Sequence, residues 1–179
     1  GQVPGQAPDQ QANQTAPTAP SNPTPTPPSA PTNAPPPAPP GNDGGDSWNW
    51  VSSNPAPFWG GLANQSSISA GLHQHYFYGA NGTMTVNTGD TLLAYVYIDP
   101  ANVPSQIMLQ WNDGSWEHRA YWGANLISYG TNDTPSRHSM GALPAAGKWV
   151  RLEIPASAVD LEGKTITGMG FSEFNGRAT

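Results

Sequence analysis

The chain has 179 residues and a formal net charge of -6, and only 10% of its residues are charged. Its few basic side chains form no run, which argues against a phosphate-tracking surface and so against nucleic acid as a partner. It has no cysteine, which excludes disulfides and thiolate metal sites, and no apolar window reaches the roughly 18 residues that cross a bilayer as a helix.

Composition breaks near Gly45. Residues 1–45 hold no Lys, Arg, Trp, Tyr or Phe, and every aromatic and basic residue follows them. A tract running through Pro17, Pro20, Pro23, Pro25, Pro27 and Pro28 to Pro39 and Pro40 cannot bury enough apolar surface to offset its ordering entropy. It reads as a Pro/Thr-rich extended linker or tether, able to reach on the order of 120 Å at about 3.1 Å per residue. Its Thr-Pro and Ser/Ala-Pro repeats are similar to linkers between modules of secreted and cell-surface proteins, which predicts an extracellular or cell-surface location. The chain begins at Gly1 with no basic-then-apolar leader, as a processed or excised product would. Residues 46–179 have the size of one domain with a single core.

Within that domain turn signals recur at short intervals, among them Asn54-Pro55, Gly60-Gly61, Asn81-Gly82, Gly89-Asp90, Asp99-Pro100, Asp113-Gly114, Ala146-Gly147 and Asn175-Gly176. Short runs rich in aromatic and β-branched residues separate them, the pattern of an all-β sandwich. The expected strands are Trp48 to Val51, Leu72 to Tyr78, Thr83 to Val86, Thr91 to Ile98, Gln106 to Trp111, Ser115 to Trp122, Arg137 to Gly141, Lys148 to Ile154 and Thr165 to Glu173, with at most one helical turn at Pro155 to Val159.

Alternation assigns faces. Leu92, Ala94, Val96 and Ile98 form a core row, as do Ile107, Leu109 and Trp111, and Val150, Leu152 and Ile154. Trp116, His118, Ala120 and Trp122 alternate against Glu117, Arg119 and Tyr121. In the run from Thr165 the phase shifts around Gly168 and Gly170, which predicts a bulge there. The outward rows together supply Tyr95, Tyr97, Gln110, Glu117, Arg119, Tyr121, Trp149 and Arg151. Rings interleaved with Gln, Glu and Arg suit a sugar, whose apolar face stacks on an aromatic plane while its hydroxyls pair with the polar groups. Ordinary cross-strand pairing on a solvated surface would produce the same rows.

His73 and His75 emerge on one face of a strand about 7 Å apart, close enough to share a metal, with His118 or His138 to complete the site. The spacing resembles the His-X-His of cupins, but Tyr76, Phe77, Tyr78, Gly79 and Ala80 stand where a cupin carries a Glu. Asp113, Glu117, Asp133 and Glu153 are candidates for a glycosidase acid/base pair, though no two are singled out by their neighbours. Asp90, Asp99, Asp113 and Asp133 sit at turns where they would hold a structural calcium or merely close the turn; no cofactor is otherwise called for. Asn13, Asn64, Asn81 and Asn132 each begin an Asn-X-Ser/Thr triplet.

Three stretches carry a family likeness: Thr88-Gly89-Asp90-Thr91-Leu92-Leu93-Ala94-Tyr95-Val96-Tyr97, Gly147-Lys148-Trp149-Val150-Arg151-Leu152-Glu153-Ile154-Pro155, and Gly168-Met169-Gly170-Phe171. Their punctuation resembles the jelly-roll β-sandwich modules attached by Pro/Thr linkers to bacterial extracellular proteins, many of them carbohydrate-binding modules. The resemblance implies an antiparallel jelly-roll sandwich after a Pro-rich extended segment, and a non-catalytic exported module that binds a polysaccharide or glycan. Such modules end in a full closing strand; here Asn175-Gly176 is expected to open a hairpin cut short, leaving an edge for a neighbouring subunit. The rival reading is therefore a structural subunit of a cell-surface filament or assembly whose partners order the Pro-rich tail. A histidine-metal or glycan-active enzyme is the third.

Overall fold

Glycine-rich turns and short alternating strands build an antiparallel β-sandwich in the computed structural model, which describes residues 42–179. The Pro-rich tract up to residue 41 and the Asn13 triplet lie outside the described residues. One layer is a six-stranded sheet of β1 (Asn42–Gly45), β4 (Ser69–Tyr78), β12 (Gly168–Gly176), β7 (Gln106–Asn112), β8 (His118–Gly123) and β9 (His138–Ser139), in that spatial order. Its pairs are antiparallel except β8 with β9, which run parallel. Three two-stranded pairs complete the fold: β6 (Thr91–Tyr97) with β10 (Trp149–Pro155), β5 (Met84–Thr85) with β11 (Thr165–Ile166), and β2 (Asn49–Val51) with β3 (Ala63–Gln65). A single 3-10 turn, Ala156–Val159, follows Pro155 where one helical turn is expected.

The core lies between the six-stranded sheet and the β6–β10 pair. Ile107, Leu109 and Trp111 of β7 and Ala120 and Trp122 of β8 meet Leu92 of β6 and Leu152 and Ile154 of β10, with Val86, Val159 and Leu161 closing one end. These are the rows that alternation assigns inward. Ala94 and Val96 face the same core but stay half-buried.

Several boundaries depart from the sequence reading. Residues 42–45, assigned to the linker, form an edge strand on β4, with Asp43 opposite Phe77 and Gly45 opposite His75. The run from Ser115 enters the ladder only at His118, because Asp113 Oδ1 accepts from the Ser115 N–H and Oγ and holds the chain in a turn. Trp116 is therefore out of phase with His118 and Ala120 and stands on the opposite side of the sheet. The run from Thr165 is two strands broken at Thr167, whose N–H donates to Asn112 O at 2.7 Å.

The bulge expected near Gly168 and Gly170 falls instead between Phe174 and Gly176. Asn175-Gly176 does not open a hairpin. It carries the chain across to the other layer, where Ala178 bridges Ile98 and Thr179 exchanges backbone hydrogen bonds with Tyr97 at 2.8 and 2.9 Å.

If this core carries the stability, Ile154→Ala, at a fully buried position, will lower the unfolding free energy by about 2–5 kcal/mol in urea titration. Leu93→Ala, on the exposed side of β6, will change it by about 0.5 kcal/mol or less.

Candidate functional site

The face of the six-stranded sheet that points away from the core carries a groove of about 380 Å³ lined by Gln74, Tyr76, Tyr78, Gln110, Trp116, Arg119 and Tyr129, within the size range of small-molecule sites. On β4 the period of two that sends His73, His75 and Phe77 one way sends Gln74, Tyr76 and Tyr78 the other. The rings of Tyr76 and Tyr78 lie 6.4 Å apart with planes only 29° from parallel, making a short platform. Trp116 stands nearly upright against both, at 76° to Tyr76 and 74° to Tyr78 and within 5.8 and 6.5 Å of them. Because the turn at Asp113 releases Trp116 from the strand phase, two neighbouring elements supply a floor and a wall of aromatic carbon.

Polar groups close the rest of the groove in one continuous circuit. Arg119 Nε donates to Gln110 Oε1 at 2.8 Å, and Gln110 Nε2 donates to Ser172 Oγ at 2.8 Å and to Gln74 Oε1 at 3.3 Å. Ser172 Oγ donates to Gln74 Oε1 at 3.0 Å, Gln74 Nε2 donates to Tyr129 Oη at 3.4 Å, and the Arg119 guanidinium lies 5.8 Å over the Tyr129 ring. Burial is the largest influence on Arg119 and pulls its pKa below the ordinary guanidinium value, with Glu117 opposing it. A second Arg119 bond, Nη1 to Ser136 O at 2.9 Å, ties the circuit to the loop after β8.

That loop is built onto the sheet by its own small core. Ile127 packs with Met108 and Tyr121, and Tyr129 and Phe174 lean on them. Gln106 Oε1 accepts from the N–H groups of Leu126 and Ile127 at 2.7 and 2.8 Å. Gly130 lets the loop come this close, since with φ at +70° a Cβ there would lie 2.3 Å from Ser136 O and 2.8 Å from Arg119 Nη1. Gly170 plays the matching part in the floor, where a Cβ would press on Gln110 and Tyr76 at 3.2 and 3.4 Å.

The sequence reading gathers eight residues on one ligand face; the structure divides them between the two layers. Gln110, Glu117, Arg119 and Tyr121 belong to the groove side of the six-stranded sheet, but Tyr121 is buried under Ile127 and donates its hydroxyl to Asn132 Oδ1 at 2.9 Å. Glu117 sits at the exposed margin, 3.5 Å from Arg119 Nη1. Tyr95, Tyr97, Trp149 and Arg151 form a separate patch on the outside of the β6–β10 pair, Tyr97 opposite Trp149 and Tyr95 opposite Arg151. Trp149 is not freely exposed: its Nε1 donates to Ala56 O at 2.9 Å and Phe58 packs against it, with Phe58 also stacked 3.8 Å from Tyr95. Gln74, Tyr76, Tyr78, Trp116 and Tyr129 are the groove residues that strand-by-strand reading misses. Alternation on β4 contains the signal for the first three, hidden behind the more conspicuous His73 and His75.

The two histidines lie on the core-facing side of β4, His73 buried and His75 half-buried near the edge, each with its own partner. His73 Nε2 donates to Asn175 O at 3.2 Å, and His75 Nδ1 donates to Asp46 O at 3.0 Å beside the Trp48 ring. His118 Nδ1 donates to Val159 O at 2.7 Å. Among the described residues no group of three His, Asp or Glu side chains is arranged to hold a metal.

The turn aspartates are engaged locally. Burial pushes Asp99 up, but hydrogen bonds from Asn102, the Ala101 N–H and Arg177 outweigh it and hold the carboxyl below its ordinary value. Asp113 is lowered in the same way, burial being outweighed by Ser115 and His118. Asp90 accepts from Asn87, and Asp133 from Asn132. Glu153 pairs with Arg151 at the surface, on the other layer from Glu117, so the four candidate acid/base carboxylates do not converge.

No protein-family model matches the chain, and no curated protein matches it. Among solved structures it is similar to the glycoside hydrolase domain of Endo-D from Streptococcus pneumoniae R6, at 13% identity and a TM-score of 0.46, over 76% of this chain and 20% of that one. The chain thus spans about a fifth of the length of that structure.

Directly behind the groove, Glu173 points from β12 into the interior and is 2% exposed. Burial pushes its carboxyl up to about 8, against smaller lowering contributions from the Ser66 hydroxyl and the Ala178 N–H. The folded state therefore keeps a proton that the unfolded state gives up near 4.5, so stability falls as pH rises from about that value through about 8. His73, 3.7 Å away on β4, is a titratable neighbour of this carboxyl. Thermal unfolding followed from pH 5 to 9 will show Glu173→Gln gaining on the parent protein as pH rises; parallel curves would place the proton elsewhere.

Proposed function

We propose that this domain is a non-catalytic, exported module that binds carbohydrate in the groove of the six-stranded sheet. The observation that carries the reading is the right-angled corner of Tyr76, Tyr78 and Trp116 set beside the Gln74–Gln110–Arg119 circuit. A pyranose has one face of C–H groups and a rim of hydroxyls; the C–H face stacks on the tyrosine platform or the indole, and the hydroxyls meet amide and guanidinium donors. The circuit holds those donors in place before the ligand arrives, which lowers the entropy cost of binding. Ring stacking supplies affinity, and the polar circuit discriminates between hydroxyl orientations. No catalytic step enters this reading, since none of the candidate carboxylates stands paired across the groove.

The assembly reading retains one favourable observation. Trp50, Phe58 and Trp59 are 45%, 48% and 46% exposed within ten residues of one another, a density of bare aromatic surface that suits contact with a partner. Light scattering on the full chain tests it: a mass above that of one chain that falls on Phe58→Ser with Trp59→Ser supports it, and a monomer at all concentrations removes it.

For the glycan groove, Trp116→Ala and Tyr78→Ala are expected to weaken retention on insoluble polysaccharide about tenfold or more while moving the unfolding midpoint by only a few degrees. Trp149→Ala, on the other layer, is expected to leave retention unchanged. Loss of retention in Trp149→Ala with none in Trp116→Ala would move the site to the β6–β10 patch and overturn the assignment.

A further inference from the structure

The chain enters the described fold beside the groove. Asn42, the first residue of β1, stands opposite Tyr78, and Gly44 stands opposite Tyr76. Directly paired residues share a face of the sheet, so the groove side begins on β1. Gly44 makes room there for an aromatic ring, since a Cβ on it would lie 2.6 Å from Tyr76 Oη. The aromatic corner is open to an occupant, with Tyr78 exposed and Tyr76 and Trp116 half-buried. Immediately before Gly41 the sequence runs Pro35-Pro36-Pro37-Ala38-Pro39-Pro40.

Groove and run match in chemistry, charge and length. Proline rings stack their C–H faces on aromatic planes, and the missing N–H groups leave the backbone carbonyls as acceptors without competing donors. Tyr76, Tyr78, Trp116 and Arg119 line the groove with side chains that carry O–H and N–H donors. Residues 10–41 hold no charged side chain, and a neutral occupant has no need to displace the acceptors already on Arg119. From β1 across β4, β12 and β7 to β8 there are four inter-strand spacings, about 19 Å at about 4.8 Å each. The six residues 35–40, as polyproline II, also cover about 19 Å at about 3.1 Å each.

We propose that the run of residues 35–40 folds back across the sheet, with Gly41 as the bend, and occupies the groove of its own chain. Its proline rings stack on the corner of Tyr76, Tyr78 and Trp116, and its carbonyls accept from the donors around them. Polyproline II is stiff before it binds, and attachment one glycine away from β1 sets an effective concentration of about millimolar or more, so weak contacts suffice to fill the groove. The groove is then capped by its own chain, and a glycan has to displace the run. The proposal shares the groove with the glycan reading but stands without it.

The test uses the full chain and the Trp116 indole N–H signal in nitrogen-15 NMR, assigned by its loss in Trp116→Phe. A variant carrying Pro35→Ser, Pro36→Ser, Pro37→Ser, Pro39→Ser and Pro40→Ser is expected to move that signal while its unfolding midpoint stays within a few degrees of the parent's. A second variant, carrying Pro17→Ser, Pro20→Ser, Pro23→Ser and Pro25→Ser, is expected to leave the signal in place. The parent's signal should not change on dilution, as a contact within one chain requires. On insoluble polysaccharide the first variant is expected to be retained about tenfold more tightly than the parent if the run fills the groove about nine-tenths of the time. An unmoved signal in the first variant or an equal shift in the second overturns the inference. So does a parent signal that changes on dilution, which would put another copy's run in the groove, or a moved signal with retention equal to the parent's, which would put the run beside the groove. The two readings fail separately: a moved signal with no retention in any variant removes the glycan and leaves the run, and retention with an unmoved signal does the reverse.

Discussion

Strand β12 is hydrogen-bonded along both edges, to β4 on one side and β7 on the other, and its alternation decides what each face of the sheet becomes. Phe171 and Glu173 point to the interior while Gly170 and Ser172 point to the groove. Because the side-chain period is two, a slip of one residue would exchange the sets, putting a carboxyl in the groove and a hydroxyl in the core. The register is pinned by ladders on both edges and by the Ser66–Glu173 and Gln110–Ser172 bonds, which lock opposite faces of the same strand. The groove floor and the buried carboxyl are therefore two consequences of one constraint.

The two faces then solve opposite electrostatic problems. On the groove side, Arg119 is almost fully buried yet meets Gln110, Ser136, Glu117 and the Tyr129 ring, so its charge is shared around a closed circuit. On the interior side, the Ser66 hydroxyl, the Ala178 N–H and a distant imidazole do not offset the burial of Glu173, and the cheaper course is to keep its proton. A paired polar network forms the floor of the groove, whereas the interior carboxyl settles as a neutral acid.

Alternation is legible wherever a strand has one clean apolar row. Leu92 to Ile98, Ile107 to Trp111 and Val150 to Ile154 read correctly, because their apolar residues are consecutive on one face and turns bound them closely. The grouping of outward rows is not legible, since pairing of β6 with β10 and of β7 with β8 and β12 is a long-range fact that no local pattern records. Tyr97 and Arg119 look alike in sequence and end up on different layers. Trp116 escapes for another reason: the Asp113–Ser115 turn removes it from strand phase, and side-chain hydrogen bonds of this kind outweigh hydrophobic alternation over two or three residues. Likewise Gly130 reads as a turn, while its effect is to let a loop settle on Arg119.

The charge state of the groove bears on which sugars the glycan reading admits. Arg119 is the cation among the groove-lining residues, and its guanidinium is already claimed by an amide oxygen, a backbone carbonyl and a carboxylate. An anionic sugar would have to compete with those acceptors, and it would approach a chain of net charge -6, against the long-range field. A neutral sugar needs neither condition, since its hydroxyls both donate and accept and its ring carbons match the platform. On the proposed glycan reading, the groove would therefore take a neutral pyranose in preference to a uronic or sialic acid, and that selectivity would follow from how thoroughly Arg119 is occupied rather than from its presence.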